Sequence, residues 1–253
     1  MRVIAVTEMD RKIYDETGKR FIETFLEYWP KEITLHVYLD EEGIPFDCPF
    51  DNRIELHRLA NDCPDIDTLK KRLKGYEPKD YTKDAVRFAH KSFPVMHATT
   101  TLGADKVFWI DADVVTFKDI PMAVLLSWLP DDVYTCCLKR VGYSECGFVG
   151  YNASQPVNAV FMAAWRNLYM SGAFRNLEQY HDCIMYDMLR GVLGVRAKNL
   201  SPKEMHTKTD SLHPFIFGPL GEYMDHLKGN RKKIGHSPEH PLCYWEQKEH
   251  LAL

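Results

Sequence analysis

Two aspartates near the middle of the chain have the residue type and spacing of a cation site. Asp111 and Asp113 directly follow the apolar run Val-Phe-Trp-Ile at 107–110. Residues i and i+2 of an extended chain point to the same side, so both carboxylates can face one point. Two like charges held close are costly unless a cation neutralises them, and Mg²⁺ or Mn²⁺ prefers such hard oxygen ligands. We therefore predict a divalent-cation site that could be shared with a diphosphate group.

The same three residues have two other interpretations. Asp-Ala-Asp at 111–113 could be an ordinary turn at the end of a strand. It also fits phosphatases of the haloacid dehalogenase family, which place Asp-x-Asp-x-(Thr or Val) after an apolar strand and use the first aspartate, here Asp111, as a nucleophile. Those enzymes carry the motif in their first strand and need a later acidic pair. Here the motif lies in the middle of the chain with no convincing later pair, which favours the metal-site interpretation.

Length and composition fit a globular protein with one large α/β domain or two small ones. The chain has 253 residues, 45% of them hydrophobic and 27% charged, which is enough apolar material for an ample core. A net charge of -4 gives no reason to expect nucleic acid as a partner. The seven cysteines have no regular spacing, as expected in a reducing compartment. No run approaches ~20 apolar residues, so we expect a cytoplasmic protein without a transmembrane segment.

Predicted strands and helices alternate along the chain, which is typical of an α/β fold with a mostly parallel central sheet flanked by helices. The predicted strands are 3–6, 33–39, 54–59, 107–110, 133–138 and 147–151, and the predicted helices are 18–29, 84–103, 122–128, 157–170 and 177–190. Pro94 is expected to kink or break the second helix. Ligands bind beyond the carboxyl ends of the strands in such sheets, and the aspartate pair lies at one of these ends.

Three segments resemble the GT-A-fold glycosyltransferases, particularly the glycogenin-like and bacterial lipopolysaccharide galactosyltransferase-like group. The first, 85–126, has Arg-Phe on a helix, then the apolar strand with Asp-x-Asp, then Asp-Ile-Pro. The second, Glu-Cys-Gly-Phe-Val-Gly-Tyr-Asn at 145–152, is similar to the Gly-led strand that borders the donor sugar. The third, 226–232, fits His-x-x-Gly-x-x-Lys.

The resemblance implies one GT-A (Rossmann-like) domain over residues 1–253. Residues 1–113 would form its nucleotide-sugar-binding half. Residues 114–253 would form the acceptor-binding half and the C-terminal metal and diphosphate segment.

The resemblance also implies the metal and donor residues. The metal ligands would be Asp111, Asp113 and His226, the last as a neutral imidazole, with His236 as the competing histidine. The donor nucleotide would contact Thr7, Arg87, Asp111, Gly229 and Lys232. Gly229 would permit close backbone approach to the diphosphate, and Lys232 would supply a positive charge. Lys91, one turn after Arg87 on the same helix face, could serve there or form a surface salt bridge.

On the acceptor side, Asp182 is the candidate catalytic residue. In many GT-A enzymes an acidic residue at the start of a late helix orients the acceptor or removes its proton. Glu145, Gly147 and His181 are the candidate sugar or acceptor contacts. Asp187 turns to another face of the predicted helix, so we expect it to be structural.

The implied function is transfer of a sugar from a nucleoside-diphosphate sugar to a hydroxyl acceptor, assisted by Mn²⁺ or Mg²⁺. The acceptor could be a glycan, a lipid-linked molecule or a small molecule. A nucleotidyltransferase of similar fold would use the same metal site, although those enzymes usually have a Gly-rich loop after the first strand, where this chain reads Thr-Glu-Met-Asp-Arg at 7–11. A noncatalytic carbohydrate-binding protein with the same fold is a third possibility.

Overall fold

The computed structural model describes residues 1–40, 51–202 and 213–249. The strands are β1 Val3–Met9, β2 Thr34–Leu39, β3 Ile54–Arg58, β4 Lys106–Ile110, β5 Val114–Thr116, β6 Thr135–Leu138, β7 Glu145–Asn152, β8 Ala197–Asn199 and β9 Met224–His226. The α-helices are α1 Arg11–Ile13, α2 Lys19–Tyr28, α3 Leu59–Asp62, α4 Asp65–Arg72, α5 Ala85–Thr101, α6 Met122–Trp128, α7 Val157–Ser171, α8 Asp182–Val192, α9 Pro214–Phe217, α10 Arg231–Ile234 and α11 Tyr244–Glu249. No described helix is both long enough and apolar enough to cross a membrane.

A seven-stranded central sheet has the order β3-β2-β1-β4-β7-β6-β8. Neighbouring strands are parallel except at β7, which runs antiparallel to both β4 and β6. The predicted α/β class and mostly parallel sheet are therefore confirmed. Because β7 is reversed, its amino end lies at the same edge as the carboxyl end of β4, with Ile110 opposite Phe148. That edge carries the candidate site.

The strand β4 is buried on both faces, which explains its unbroken apolar sequence. Val107 and Trp109 pack into a core with α5, α7 and α8 residues, whereas Phe108 and Ile110 pack into a second core with α2 and α6 residues. Alternate side chains of one strand thus belong to different cores, as the two-residue period of a strand requires.

A small antiparallel sheet connects the C-terminal part of the chain to the aspartate motif. Its two strands, β5 and β9, pair with Val114 opposite His226. The backbone N–H of Leu227 also donates to the carbonyl of Asp113, with an N···O distance of 2.9 Å. The segment that begins at His226 is therefore held beside Asp113, although more than a hundred residues separate the two in sequence.

Of the predicted helices, the one that contains Pro94 is unbroken, and another begins later than predicted. Pro94 does not break α5, which continues to Thr101; the proline is buried in the core, and its missing N–H removes one hydrogen bond of the helix. The helix predicted at 177–190 begins only at Asp182. The reason is that the N–H of Tyr180 donates to the carbonyl of Thr82 at 2.7 Å, which ties this stretch to another part of the chain outside helical geometry.

Candidate active site

A cavity of about 730 Å³ opens at the edge where β4 ends and β7 begins, a size that suits a small-molecule ligand. It brings together ten of the eleven residues predicted for the site: Arg87, Asp111, Asp113, Glu145, Gly147, His181, Asp182, His226, Gly229 and Lys232. Thr7 is not part of its lining; this side chain is completely buried, and the next residue, Glu8, lines the cavity instead. Successive side chains of a strand point to opposite faces, so Thr7 points into the core when Glu8 points into the cavity.

The carboxylates of Asp111 and Asp113 converge on the imidazole of His226. Nε2 of His226 lies 3.0 Å from Oδ1 of Asp113 and 3.8 Å from Oδ2 of Asp111. One ligand atom from each of the three residues lies within 4.8 Å of the others. The sequence predicts that an extended strand points both carboxylates to one side. In the structure a turn brings them together, and in this turn the N–H of Val114 donates to the carbonyl of Asp111.

Gly147 makes room for the His226 ring. A Cβ on Gly147 would lie 2.7 Å from Nδ1 of His226, closer than real Cβ contacts. His226 is almost fully buried, and its Nδ1 has no hydrogen-bond partner among the described residues. The competing histidine, His236, stacks on Trp245 with ring centroids 3.9 Å apart and does not belong to the cluster. Of the two histidines, His226 is thus the one placed to bind a metal.

The carboxylate of Asp113 lies between an imidazole, His226, and an ammonium group, Lys232. Nζ of Lys232 lies 3.1 Å from Oδ2 of Asp113, on the other side from His226. Burial alone would raise the pKa of Asp113, but His226 and Lys232 keep it below its ordinary value. Burial would likewise lower the pKa of His226, and Asp113 raises it. Asp113 is therefore ionised, and its negative charge is available to a cation.

Lys91 connects the aspartate motif to the candidate catalytic residue. Its Nζ lies 2.8 Å from Oδ1 of Asp111 and 3.2 Å from Oδ2 of Asp182. Burial alone would lower the pKa of Lys91, but the two carboxylates raise it well above its ordinary value, so the ammonium stays charged. In the sequence, the only indication that Lys91 belongs to the site was its position one turn after Arg87. That position did not distinguish a donor contact from a surface salt bridge.

Glu145 is buried and bound to a lysine that sequence reasoning missed. Its Oε2 lies 2.9 Å from Nζ of Lys228, and its Oε1 accepts a hydrogen bond from the N–H of Gly147 at 2.8 Å. Burial would raise the pKa of Glu145, but Lys228 and His226 hold it well below its ordinary value. The only sequence signal for Lys228 was its place inside the 226–232 segment, beside the glycine.

The two acceptor-side residues lie where the late helix begins. Asp182 is the first residue of α8 and is buried, whereas the prediction had put it inside the helix. The ring of His181 packs between Phe88 and Tyr143, with centroid distances of 4.5 and 5.7 Å. Both residues line the cavity, and their roles stay predictions.

Asp187 has the structural role that was predicted. Its carboxylate accepts hydrogen bonds from the N–H and the hydroxyl of Ser144 at 2.6 and 2.8 Å, and it also pairs with Arg190. The carboxylate thus fixes the chain just before β7.

Solved structures with a similar fold are glycosyltransferases. An active-site mutant of the galactosyltransferase LgtC gives a TM-score of 0.54 at 14% identity, covering 98% of this chain and 95% of its own. Mouse xyloside xylosyltransferase 1 gives 0.52 at 10% identity, covering 79% of this chain and 86% of its own.

The bifunctional glycosyltransferase WbbM gives a TM-score of 0.50 at 12% identity over 79% of this chain. The matched region spans only 39% of the WbbM chain. By sequence, no protein-family model and no curated protein matches the chain. The sheet order, the cavity at the carboxyl end of β4 and these structural likenesses together show that this chain has the GT-A-type fold of glycosyltransferases.

Proposed function

We propose that this protein is a metal-dependent glycosyltransferase that moves a sugar from a nucleoside-diphosphate sugar to a hydroxyl acceptor. The observation that carries the proposal is the convergence of Asp111, Asp113 and His226, whose ligand atoms lie within 4.8 Å of one another in the lining of an open cavity. The names of the structural relatives support the same class of reaction, because they are glycosyltransferases that share the fold.

The three side chains fit a Mn²⁺ or Mg²⁺ ion. Two carboxylates and one imidazole make a mostly hard donor set, and three protein ligands leave coordination positions for the oxygens of a diphosphate. A cation bound by Asp111, Asp113 and His226 would offset the negative charge that builds up on the departing nucleoside diphosphate.

The neighbouring lysines supply further positive charge for the diphosphate. Lys232, 3.1 Å from Asp113, and Lys228, whose side chain is half-exposed, both line the cavity. Between them Gly229 has a φ of 63°, a left-handed conformation that favours glycine. The turn therefore brings two ammonium groups next to the predicted metal ligands without a side chain at its centre.

Asp182 remains the proposed acceptor-side carboxylate. The ammonium of Lys91 lies 3.2 Å from this carboxylate, and a carboxylate is a strong hydrogen-bond acceptor for a hydroxyl group. Such a hydrogen bond orients the hydroxyl, and proton removal by the same group would need Asp182 to release Lys91. We assign Asp182 to orientation of the hydroxyl group.

The contacts of Asp111 weigh against the phosphatase alternative. One of its carboxylate oxygens, Oδ1, accepts hydrogen bonds from Nζ of Lys91 and from the indole N–H of Trp109 at 2.8 and 2.7 Å. An oxygen held by two donors is a weaker nucleophile, and the other oxygen, Oδ2, lies 3.8 Å from Nε2 of His226 within the proposed metal cluster. Glycosyl transfer does not require Asp111 to act as a nucleophile.

We place this activity in the cytoplasm, with a glycan, a lipid-linked molecule or a small molecule as the hydroxyl acceptor. The six described cysteines are free thiols, as expected in a reducing compartment. The seventh, Cys48, lies outside the described residues.

A thermal-shift panel of nucleoside diphosphates and nucleotide sugars, with and without Mn²⁺, tests the donor site. A true donor at 100 times its Kd should stabilise the fold by about 2.7 kcal/mol, and only when Mn²⁺ is present. Asp113→Asn should abolish that shift, whereas Asp67→Asn, an exposed aspartate on α4, should keep it. The metal role is wrong if Asp113→Asn keeps the full shift, and the donor site is wrong if no nucleotide gives one.

The products distinguish the remaining alternatives. With an accepted hydroxyl compound, a glycosyltransferase releases a nucleoside diphosphate. Release of pyrophosphate would instead identify a nucleotidyltransferase, and binding without release across an acceptor panel would favour a noncatalytic binding protein.

A further inference from the structure

A second group of metal-ligand side chains lies on β2 and β3, outside the cavity lining. His36 on β2 is opposite Glu55 on β3, and Tyr38 is opposite His57 in the same parallel register. Side chains two residues apart point to the same face, so both histidines and the glutamate share one face of the sheet. One ligand atom from each of these three residues lies within 4.8 Å of the others.

The distances between these ligand atoms are close to those of a four-coordinate metal site. Bonds of 2.0 to 2.1 Å in tetrahedral geometry put ligand atoms about 3.3 to 3.4 Å apart. Nδ1 of His36 lies 3.4 Å from Oε2 of Glu55. Nδ1 of His36 and Nε2 of His57 are 2.8 Å apart, so the two rings would have to separate by about half an ångström.

Nδ1 of His36 and Nε2 of His57 face each other at hydrogen-bond distance, so one of these nitrogens carries a proton and the other accepts it. Oδ2 of Asp62 lies 3.1 Å from Nδ1 of His57, so Nδ1 donates to the carboxylate and Nε2 carries the lone pair. His36 then donates through Nδ1, and its own Nε2 has no hydrogen-bond partner among the described residues. A metal ion between the rings would take the place of the shared proton, which would move to Nε2 of His36 and leave both imidazoles neutral.

Burial and charge favour a divalent ion at this point. His36 is completely buried, and its Nδ1 faces Nε2 of His57 at 2.8 Å instead of water. The carboxylates of Glu55 and Asp62 carry two negative charges, which match a divalent ion. The Glu55 side chain is 52% exposed, so water can reach the fourth coordination position.

We propose that His36, His57 and Glu55 form a second metal site, which binds a Zn²⁺-class ion and ties the edge strand β3 to β2. Asp62 holds the His57 ring in the ligating tautomer, as an outer carboxylate does for metal-bound histidines. Two imidazole nitrogens select Zn²⁺ over Mg²⁺ and Mn²⁺, which prefer oxygen ligands. The site is independent of the cation proposed for sugar transfer, since none of its residues lines the cavity.

Zinc titration calorimetry on the full chain, freed of metal with a chelator, tests the proposal. The titration is made in an Asp113→Asn background, because the cluster at Asp111 and His226 could also bind Zn²⁺. We expect one Zn²⁺ per chain and no heat from Mg²⁺. Adding Glu55→Gln should weaken Zn²⁺ binding at least tenfold, and Asp62→Asn should weaken it about 10- to 100-fold.

The matched control is Glu23→Gln, which removes an exposed glutamate on α2 in the same background and should leave the Kd for Zn²⁺ unchanged. Circular dichroism of the metal-free variants shows whether each one folds. The proposal is overturned if the Asp113→Asn protein binds no Zn²⁺, or if folded Glu55→Gln and Asp62→Asn variants bind it as tightly as Glu23→Gln does.

Discussion

At the scale of single residues, the candidate site is a set of carboxylates that are each matched by a lysine. Asp111 pairs with Lys91, Asp113 with Lys232 and Glu145 with Lys228, at distances of 2.8, 3.1 and 2.9 Å. Carboxylates this close together repel one another, and the lysines offset that repulsion. Lys228 and Lys232 lie beside the proposed diphosphate position. Lys91 instead lies between the carboxylates of Asp111 and Asp182, so we expect it to stabilise the fold as well.

Replacing Lys91 tests this stabilising role. Lys91→Met leaves Asp111 and Asp182 partly buried without their common cationic partner, and should lower the free energy of unfolding by about 3 kcal/mol. Urea denaturation in the presence of a metal chelator measures the change. Lys12→Met is the control, because Lys12 is 79% exposed and its ion pair with Glu16 is 4.0 Å long, so we expect a loss of less than about 1 kcal/mol. Equal losses in the two variants would rule out a structural role for Lys91.

At the scale of secondary-structure elements, β7 is the strand that builds both the site and the core. Its reversed direction puts Glu145 and Gly147 at the carboxyl end of β4, beside Asp111. Three residues later, Gly150 lies on the opposite face, where a Cβ would be 2.7 Å from Sγ of Cys136. The two glycines therefore allow two separate close approaches, one by the metal-ligand candidate His226 and one by the core.

Alanine at each glycine separates these effects. Gly147→Ala should displace His226 from Asp113 and weaken Mn²⁺-dependent nucleotide-sugar binding at least tenfold, since its Cβ would overlap the imidazole. Gly150→Ala should lower stability by about 1 to 3 kcal/mol through overpacking and leave the Kd unchanged. Calorimetric titration and thermal melting of both variants measure the two quantities. A similar Kd for the two variants would contradict a positioning role of Gly147.

At the scale of the whole molecule, the two halves predicted from the sequence share one sheet. β1 to β4 come from residues 1–113 and β6 to β8 from residues 114–253, and β4 pairs directly with β7. Both cores also contain residues from both halves. The halves can therefore differ in what they bind, but they share the seven-stranded sheet and neither has a core of its own.

This shared sheet predicts cooperative unfolding. Tryptophan fluorescence and far-ultraviolet circular dichroism should report one coincident transition, as expected for a two-state domain. Phe108→Ala, which removes a fully buried ring from β4, should destabilise the fold by about 3 to 5 kcal/mol and move both signals together. Two separate transitions, or a shift in only one signal, would show that the halves are independent folding units.

The local parts of this protein could be predicted from the sequence because their causes are local. Unbroken apolar runs indicated buried strands such as β4, and the aspartates after that run indicated the end of a strand and a cation site. The start of α8 was predicted incorrectly, because the N–H of Tyr180 donates a hydrogen bond to the carbonyl of Thr82, which lies almost a hundred residues away in sequence. Local periodicity contains no information about such a partner.

What only the tertiary structure decided is which distant residues meet. The pairing of β5 with β9 brings His226 to Asp113 and leaves His236 on Trp245, a choice that the sequence segments left open. Lys91 contacts Asp182 only because α5 and the start of α8 line the same cavity. The aspartate pair itself could be located from sequence, since two residues apart in one chain are always close. Its partners His226 and Lys232 were named only through the family resemblance, because sheet pairing, and not spacing along the chain, sets those distances.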